Sequence, residues 1–329
     1  YMSAFLKSRE RANNPTKMTS STLSILISIG KADLGFQPCA LSSLNLERSK
    51  NKQHPVIPSR IYAALLSTFE EIIDRIYPHR DKIKKLIIEC AEPHFGLAIC
   101  TQKGYKRGSK NGPPLLPTME NAFFLSGLSG VVDDHLKAPE TRHAFMGWLE
   151  NIQGIARASM HLYTGMRDQE GARIKFDCIA SHNISAPVLT EAYIVVDPPR
   201  MVSIISTTTK FTGYQKEESW IAPEIIIKSI SIARAICEGI AFLHKIKPVY
   251  CPLYISPYII RSSKAPLRTT IMHLNGERGI IQALKKNDEF MITESDLAEL
   301  KHTEPDRDFS AEYSFSKENI WPLTSHQFR

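Results

Sequence analysis

The sequence predicts a mainly α-helical α+β fold in which a small antiparallel β-sheet accompanies the helices. Several stretches of the 329 residues place apolar side chains three and four positions apart, and one stretch after residue 170 changes to short strand-like runs. Hydrophobic residues make up 43% and charged residues 23% of the chain, as in an ordinary globular protein. A disordered, collagen-like or coiled-coil chain is therefore excluded, and no apolar run approaches the ~20 residues that a membrane span needs.

The helices are predicted from apolar residues that recur every three or four positions. The clearest stripe opens after Pro58-Ser59, runs from Tyr62 to Ile76 and stops before Pro78. Residues 47–55 have the polar composition of a linker. Helices are predicted at 23–29, 62–76, 82–90, 141–163 and 224–244, the last with Pro223 in its first turn.

The strands are predicted from short apolar and β-branched runs bounded by turn residues. A hairpin joins the last two strands and carries Lys210 at its tip, so these two strands are expected to pair antiparallel. Residues 246–320 alternate apolar and acidic patches and carry no motif that we can name. Strands are predicted at 174–179, 193–197, 202–207 and 219–222.

The charge is unevenly distributed along the chain. Residues 1–114 contain 18 Lys and Arg against 9 Asp and Glu, whereas residues 115–329 contain 23 against 25. This asymmetry favours either a polyanion-binding region or an ordinary solvated basic surface. We predict a basic helical region with its linker at 1–118 and a second domain at 119–329.

A loop with several Gly and Pro residues is predicted at 101–117, and basic residues surround Tyr105 within it. Basic residues around an aromatic ring suit contact with the DNA backbone, although such loops are also commonly just exposed to solvent. The candidate DNA-binding residues are Lys103, Lys106, Arg107 and Lys110.

The cysteines indicate a reducing compartment and no metal site. Six of them are scattered along the chain, without a CxxC pair or zinc spacing, so we interpret them as small buried apolar residues in a cytoplasmic protein. The run Asp133-Asp134-His135 comes nearest to a carboxylate cluster, and we interpret it as a solvated helix face.

Three short motifs carry candidate chemistry. Arg167 and Glu170 lie one turn apart at the start of a predicted helix, where a pair would hold the guanidinium in a direction suited to phosphate recognition. Lys210 occupies the hairpin tip, and His326 and Arg329 lie one helical turn apart. Taken singly, each motif has a simpler explanation. Arg167 and Glu170 are typical of an exposed ion pair, Lys210 of a charge that keeps a hairpin tip soluble, and the HxxR motif of a chance match.

Together and in this order, the motifs resemble the catalytic domain of the tyrosine recombinases, the phage-integrase family of site-specific DNA recombinases. The resemblance is carried by YTGMRDQE at 163–170, TTTKF at 207–211 and TSHQFR at 324–329. It covers residues 141–329, within which the poorly matching stretch 246–320 is interpreted as an insertion.

The resemblance implies a role for each motif residue. Arg167 and Arg329 would clamp the scissile phosphate, His326 would hydrogen-bond it or assist proton transfer, and Glu170 would orient Arg167. Lys210 would be the general acid that protonates the departing 5′-hydroxyl. No metal or other cofactor is implied, because guanidinium and ammonium groups supply the positive charge.

The resemblance also implies a partner and an assembly. The partner is double-stranded DNA, closed between a helical region at 1–118 and the catalytic domain, with a homotetramer on paired sites and a nucleoid-associated location. In this family the nucleophilic tyrosine follows the HxxR motif, so we expect it beyond Arg329 and expect the chain by itself not to cleave DNA. An inactive DNA-binding remnant and a helical protein-interaction module are the alternatives.

Overall fold

A computed structural model describes most of the chain after residue 56, and the described residues lie in one compact unit that begins at Pro55. The helix predicted at 23–29 and the linker at 47–55 lie outside the described residues. The description covers residues 57–106, 115–133, 136–180, 188–189, 195–196, 201–208, 217–269, 288–290, 292–303 and 305.

The described part is mostly helical, as predicted. Short 3₁₀ turns at Tyr77–His79, Ser129–Val131, Pro248–Tyr250, Pro257–Ile260 and Asp288–Phe290 connect several of the longer elements. The α-helices are α1 (Ser59–Ile76), α2 (Arg80–Glu89), α3 (Ile99–Lys106), α4 (Met119–Leu125), α5 (Arg142–Thr164), α6 (Asp168–Ala172), α7 (Ile225–Leu243) and α8 (Glu294–Thr303).

Helix α5 runs through the centre of the fold. The hydroxyl of Thr141 caps its first turn by accepting a hydrogen bond from the backbone N–H of Ala144 at 3.1 Å. Every residue from Ile152 to Met160 is buried, so the helix is covered on all sides there and not on one stripe alone. It ends at Gly165, whose φ of 65° is a left-handed conformation that glycine adopts without steric cost.

The main hydrophobic core lies between α1, α2, α4, α5 and α7. Helices α2 and α7 approach closely at Gly239, because a Cβ there would lie 2.9 Å from the Cβ and Cγ2 of Ile87. The helices on both sides of residue 118 share this core, so the predicted boundary falls inside one packed unit.

A three-stranded antiparallel sheet covers one end of α5 and α7, in the order β1 (Ile179–Ala180), β4 (Met201–Thr207), β5 (Glu217–Pro223). The β4–β5 hairpin is confirmed, with Thr207 opposite Glu217. A second core of apolar side chains lies beneath the sheet. Two further short strands, β2 (Val188–Leu189) and β3 (Val195–Val196), pair with each other.

Two of the predicted strand boundaries are wrong. Pro223 pairs with Met201 as the last residue of β5, so it does not lie in the first turn of α7. Most of the strand predicted at 174–179 runs instead beside the chain at 251–253, where the N–H of Leu253 donates to the carbonyl of Ile174 at 2.8 Å. Only the end of the predicted strand joins β4: Ile179 pairs with Ile204, and the carbonyl of Cys178 accepts the N–H of Ile205 at 2.7 Å.

The described part of 246–320, the stretch interpreted as an insertion, contributes to the core. Leu253, Tyr254 and Ile255 are buried. The buried amide of Gln153 on α5 accepts a hydrogen bond from the N–H of Ile255 at 2.9 Å and donates to its carbonyl at 3.0 Å. This segment is therefore fastened to the central helix.

Candidate functional site

The turn between α5 and α6 presents the arginine of the first motif. The hydroxyl of Thr164 donates to the carbonyl of Met160 at 2.6 Å and accepts from the N–H of Met166 at 3.2 Å. The N–H of Gly165 closes the last turn on the carbonyl of His161 at 2.9 Å. These bonds fix the path of the chain into Arg167, which caps α6 in an extended conformation.

Glu170 holds Arg167 from the first turn of α6, as the one-turn spacing predicted. One carboxylate oxygen accepts the backbone N–H of Arg167 at 2.8 Å, and the other lies 3.4 Å from its Nη1. The Glu170 side chain is only 5% exposed, whereas that of Arg167 is 52% exposed. A buried carboxylate thus anchors a guanidinium that faces solvent, the arrangement needed to receive an anionic group from outside.

His161 supports the same turn, a role that sequence reasoning did not identify. Its ring Nδ1 lies 2.9 Å from the carbonyl oxygen of Met166, the residue before Arg167. The ring also lies against α6, because a Cβ on Gly171 would be 2.5 Å from its Cε1. The sequence pattern that could have indicated this role is a histidine, His161, one turn before the Thr-Gly end of a helix, followed by a glycine, Gly171, on the next helix.

The sheet is attached to the same helix. The buried hydroxyl of Ser206 on β4 donates to the backbone carbonyl of Glu170 at 2.7 Å. In the sequence Lys210 follows Ser206 by four positions, and it lies outside the described residues. The root of the lysine hairpin is therefore bonded to the helix whose first turn holds the arginine.

The described tyrosines near this turn serve the core. The hydroxyl of Tyr163 donates to Glu70, and that of Tyr62 donates to the carbonyl of Leu162. Tyr254 is 1% exposed, and burial raises the pKa of its hydroxyl far above the ordinary range, although Arg157 nearby opposes this. The hydroxyls of Tyr62 and Tyr163 are therefore engaged in hydrogen bonds of the fold, and that of Tyr254 is buried.

The remaining predicted site residues lie largely outside the described part of the chain. Of the DNA-binding candidates, Lys103 is exposed and lies, like Lys106, on α3, so the prediction of a loop is wrong at this point. The physical reason is the buried amide of Gln102, which bonds both the N–H and the carbonyl of Leu116 and fixes this segment. Outside the described residues are Arg107, Lys110, Lys210, His326 and Arg329.

The carboxylate at residue 133 is also not on a solvated helix face. Asp133 pairs with Arg75 of α1 and accepts the N–H of Leu136 at 2.6 Å, so it closes a turn against the core. Asp134 and His135 lie outside the described residues. In the described part of the chain, His, Cys, Asp and Glu side chains form no group of three that could hold a metal ion.

Four of the described cysteines are buried, as predicted. The prediction is wrong for Cys100, which lies in the first turn of α3 and is exposed. Burial raises the pKa of the Cys90 thiol to about 12 and that of Cys178 to about 11, so both stay protonated at neutral pH. Cys39 lies outside the described residues. No described helix combines the length and the apolar character that crossing a bilayer requires.

The fold and this turn define a mainly helical α+β protein with a three-stranded antiparallel sheet and an anchored, solvent-facing arginine. No protein-family model, curated protein or solved structure matches the chain.

Proposed function

We propose that the chain belongs to a DNA strand-cutting and rejoining enzyme of the tyrosine recombinase type, with Arg167 as a ligand of the scissile phosphate. One observation carries the proposal: the Arg167–Glu170 pair is bonded through Ser206 to the root of the hairpin that bears Lys210. An exposed guanidinium and an ammonium on adjoining elements are the two kinds of cation that metal-free phosphoryl transfer employs.

The proposed reaction is the one that the resemblance to the tyrosine recombinases implies. The proton of a tyrosine hydroxyl passes to His326 or to water, and the tyrosine oxygen bonds to the scissile phosphorus. The bond from phosphorus to the 5′-oxygen breaks, which leaves a 3′-phosphotyrosyl ester. The departing 5′-oxygen takes its proton from the Lys210 ammonium. Arg167 and Arg329 stabilise the charge on the non-bridging oxygens, and His326 hydrogen-bonds the same phosphate. The cut strand is rejoined when a 5′-hydroxyl attacks the phosphotyrosyl ester, which forms a new phosphodiester and releases the tyrosine hydroxyl.

Covalent trapping tests the proposal in a protein that contains this chain and the proposed nucleophilic tyrosine. A DNA duplex nicked next to its cleavage site retains the covalent adduct, because the released 5′ fragment diffuses away. We expect Arg167→Ala to lower adduct yield at least about 100-fold while salt-sensitive DNA binding persists. The matched control is Arg173→Ala, which removes an equal charge from the exposed end of α6 and should keep adduct formation.

The outcomes separate the alternatives. Adduct yield that is unchanged in Arg167→Ala overturns the role of Arg167. DNA binding without any adduct from the unmodified protein replaces the enzyme with a DNA-binding remnant. Absence of salt-sensitive DNA binding excludes both the recombinase and the DNA-binding remnant, and it favours a protein-interaction module.

A further inference from the structure

A wide groove lies at the opposite end of the central helix from Arg167. It has a volume of about 1090 Å³ and is lined by α2, the C-terminal half of α7 and the chain from Lys245 to Ser263. Arg142, the first residue of α5, forms part of its wall. Since a helix of 23 residues is about 34 Å long, the groove is a surface separate from the candidate phosphate site.

The floor of the groove is apolar. Ile88 of α2, Phe242 of α7 and Ile246 line it, together with Ile259 and Ile260 from the 3₁₀ turn. The ring of Phe242 is 55% exposed, although an aromatic side chain of a helix facing a core is normally covered. A groove at the upper end of the ~300–1,000 Å³ range of small-molecule pockets, with an exposed phenylalanine in its floor, has room for several side chains of a partner.

The rim of the groove is basic. Lys245, Lys247 and Arg261 line the groove and are exposed. Arg142 also lines it and is held in place, because its guanidinium donates to the backbone carbonyls of Cys90 at 2.6 Å and Pro93 at 3.1 Å. Rigid attachment leaves the cation in place before any ligand binds.

The acidic charge of the groove is already engaged. Among the described lining residues, Glu238 is the only carboxylate, and it pairs with Lys84 at 2.8 Å. Once Lys84 is paired with Glu238, four lining cations remain, and they favour an anionic ligand: Arg142, Lys245, Lys247 and Arg261.

We propose that this groove binds an acidic amphipathic helix of a partner protein, with apolar side chains on the floor and carboxylates on the basic rim. The charge of the rim alone would also suit a nucleic acid. A phosphate backbone, however, has no apolar side chains with which to cover Phe242 and the isoleucines. A helix with Leu and Phe at positions i, i+3, i+4 and i+7 and Glu or Asp elsewhere satisfies both parts of the groove.

Fluorescence anisotropy with a labelled 16-residue peptide of that pattern tests the proposal on the intact chain. Comparison probes are the same peptide with Lys in place of each acid, one with Ser in place of each apolar residue, and a 16-base-pair DNA duplex. We expect the acidic amphipathic peptide to bind at least about tenfold more tightly than each comparison probe.

Variants place the binding in the groove. Lys247→Glu combined with Arg261→Glu should weaken the peptide at least about tenfold, and Phe242→Ser should weaken it as well. The matched control is Lys301→Glu, an exposed charge reversal on α8, which should leave binding unchanged, as should Arg167→Ala. Circular dichroism checks that each variant keeps the unfolding temperature of the parent, and a Phe242→Leu variant replaces Phe242→Ser if the latter unfolds.

Three results would overturn the proposal. The first is no binding of the acidic peptide at about 100 μM, an affinity weaker than that of most helix-in-groove complexes. The second is peptide binding that the Lys247 and Arg261 reversals leave unchanged. The third is a DNA duplex that binds more tightly than the peptide and whose binding is lost in the variant with the Lys247 and Arg261 reversals. That result would make the groove a nucleic-acid site.

Discussion

The buried carboxylate of Glu170 contacts Arg167 at two atoms, the backbone N–H at 2.8 Å and the guanidinium Nη1 at 3.4 Å. The first contact fixes where α6 begins, and the second directs the charged end of Arg167. Since the Glu170 carbonyl also accepts the hydroxyl of Ser206, one residue joins the turn, the arginine and the sheet. Local stability and the orientation of Arg167 are therefore coupled through Glu170.

Replacing Glu170 is expected to destabilise the fold according to how much of this contact is lost. Glu170→Ala leaves the N–H of Arg167 without its acceptor and should lower the free energy of unfolding by about 1–3 kcal/mol. Glu170→Gln keeps an oxygen acceptor and should therefore lower the free energy of unfolding less than Glu170→Ala does. Urea unfolding measures both, with Glu71→Ala on the exposed face of α1 as the control, expected within about 0.5 kcal/mol of the parent. Equal effects of the Ala and Gln variants would contradict the hydrogen-bond argument.

The contact between His161 and Gly171 predicts a coupled pair of substitutions. Gly171→Ala places a Cβ 2.5 Å from the imidazole and should cost about 1–3 kcal/mol, because the ring must leave the carbonyl of Met166. In a His161→Ala background the same change should cost much less, since the clash is gone. Urea unfolding of the four proteins gives the coupling energy. Additive effects would show that the ring does not separate the two helices.

A glycine in open space provides the control for that pair. A Cβ on Gly147 of α5 would have no atom within 4 Å, so Gly147→Ala should stabilise the helix by about 0.5–1 kcal/mol. Loss of stability in this variant would mean that backbone effects, and not the histidine ring, dominate at the helix glycines.

The parts of the fold that sequence predicted depend on neighbours close along the chain. Helices α1, α5 and α7 follow from apolar spacings within each segment, and the Arg167–Glu170 pair follows from a separation of three residues. The β4–β5 hairpin is equally local.

The errors involve partners distant in sequence. The segment at 101–106 is helical with Gln102 bonded to Leu116, and Asp133 is drawn to Arg75. Most of the segment predicted as a strand at 174–179 forms its backbone hydrogen bonds with residues 251–253. His161 and Ser206 act on the site through a turn and a tertiary hydrogen bond, neither of which leaves a periodic pattern. Sequence spacing alone therefore identified the arginine and its carboxylate and missed what supports them.

The buried amide of Gln153 predicts how strongly the chain around Ile255 is held. Gln153→Leu leaves the N–H and the carbonyl of Ile255 without their partner inside the core and should lower the free energy of unfolding by about 1–3 kcal/mol. Gln153→Glu should be at least as damaging, because it buries a charge beside a carbonyl. The control is Asn121→Leu on α4, which replaces an exposed amide and should change the free energy of unfolding little. Gln102→Leu would not serve as a control, because the amide of Gln102 is also hydrogen-bonded. An unchanged free energy in Gln153→Leu would mean that the segment is held by apolar packing alone.

The ion pair between Asp296 of α8 and Arg60 of α1 predicts a pH dependence of stability. Burial alone would raise the pKa of Asp296, but hydrogen bonds from Arg60 and Thr293 outweigh it and hold that pKa below its ordinary value. A carboxyl whose pKa is lowered by folding contributes stability above its ordinary pKa and loses it as the pH falls through the lower, folded value. The Arg60 contacts are bidentate, at 2.7 and 3.2 Å, and the Asp296 side chain is only 3% exposed.

Asp296→Asn is therefore expected to lower the free energy of unfolding by about 1–3 kcal/mol at pH 7. The gap between the free energies of unfolding of parent and variant should stay constant down to about pH 5. It should narrow below about pH 4, because the unfolded parent then binds a proton that the folded parent takes up only at lower pH. Urea unfolding across that range measures the gap. Asp177→Asn, at a carboxylate 70% exposed and 3.9 Å from Arg234, is the control and should show only a small gap. A difference in the free energy of unfolding between parent and Asp296→Asn that does not change with pH would show that the charge of Asp296 contributes nothing. In that case α8 would be held to α1 only by the hydrogen bonds to Arg60 and Thr293, which an amide can partly keep.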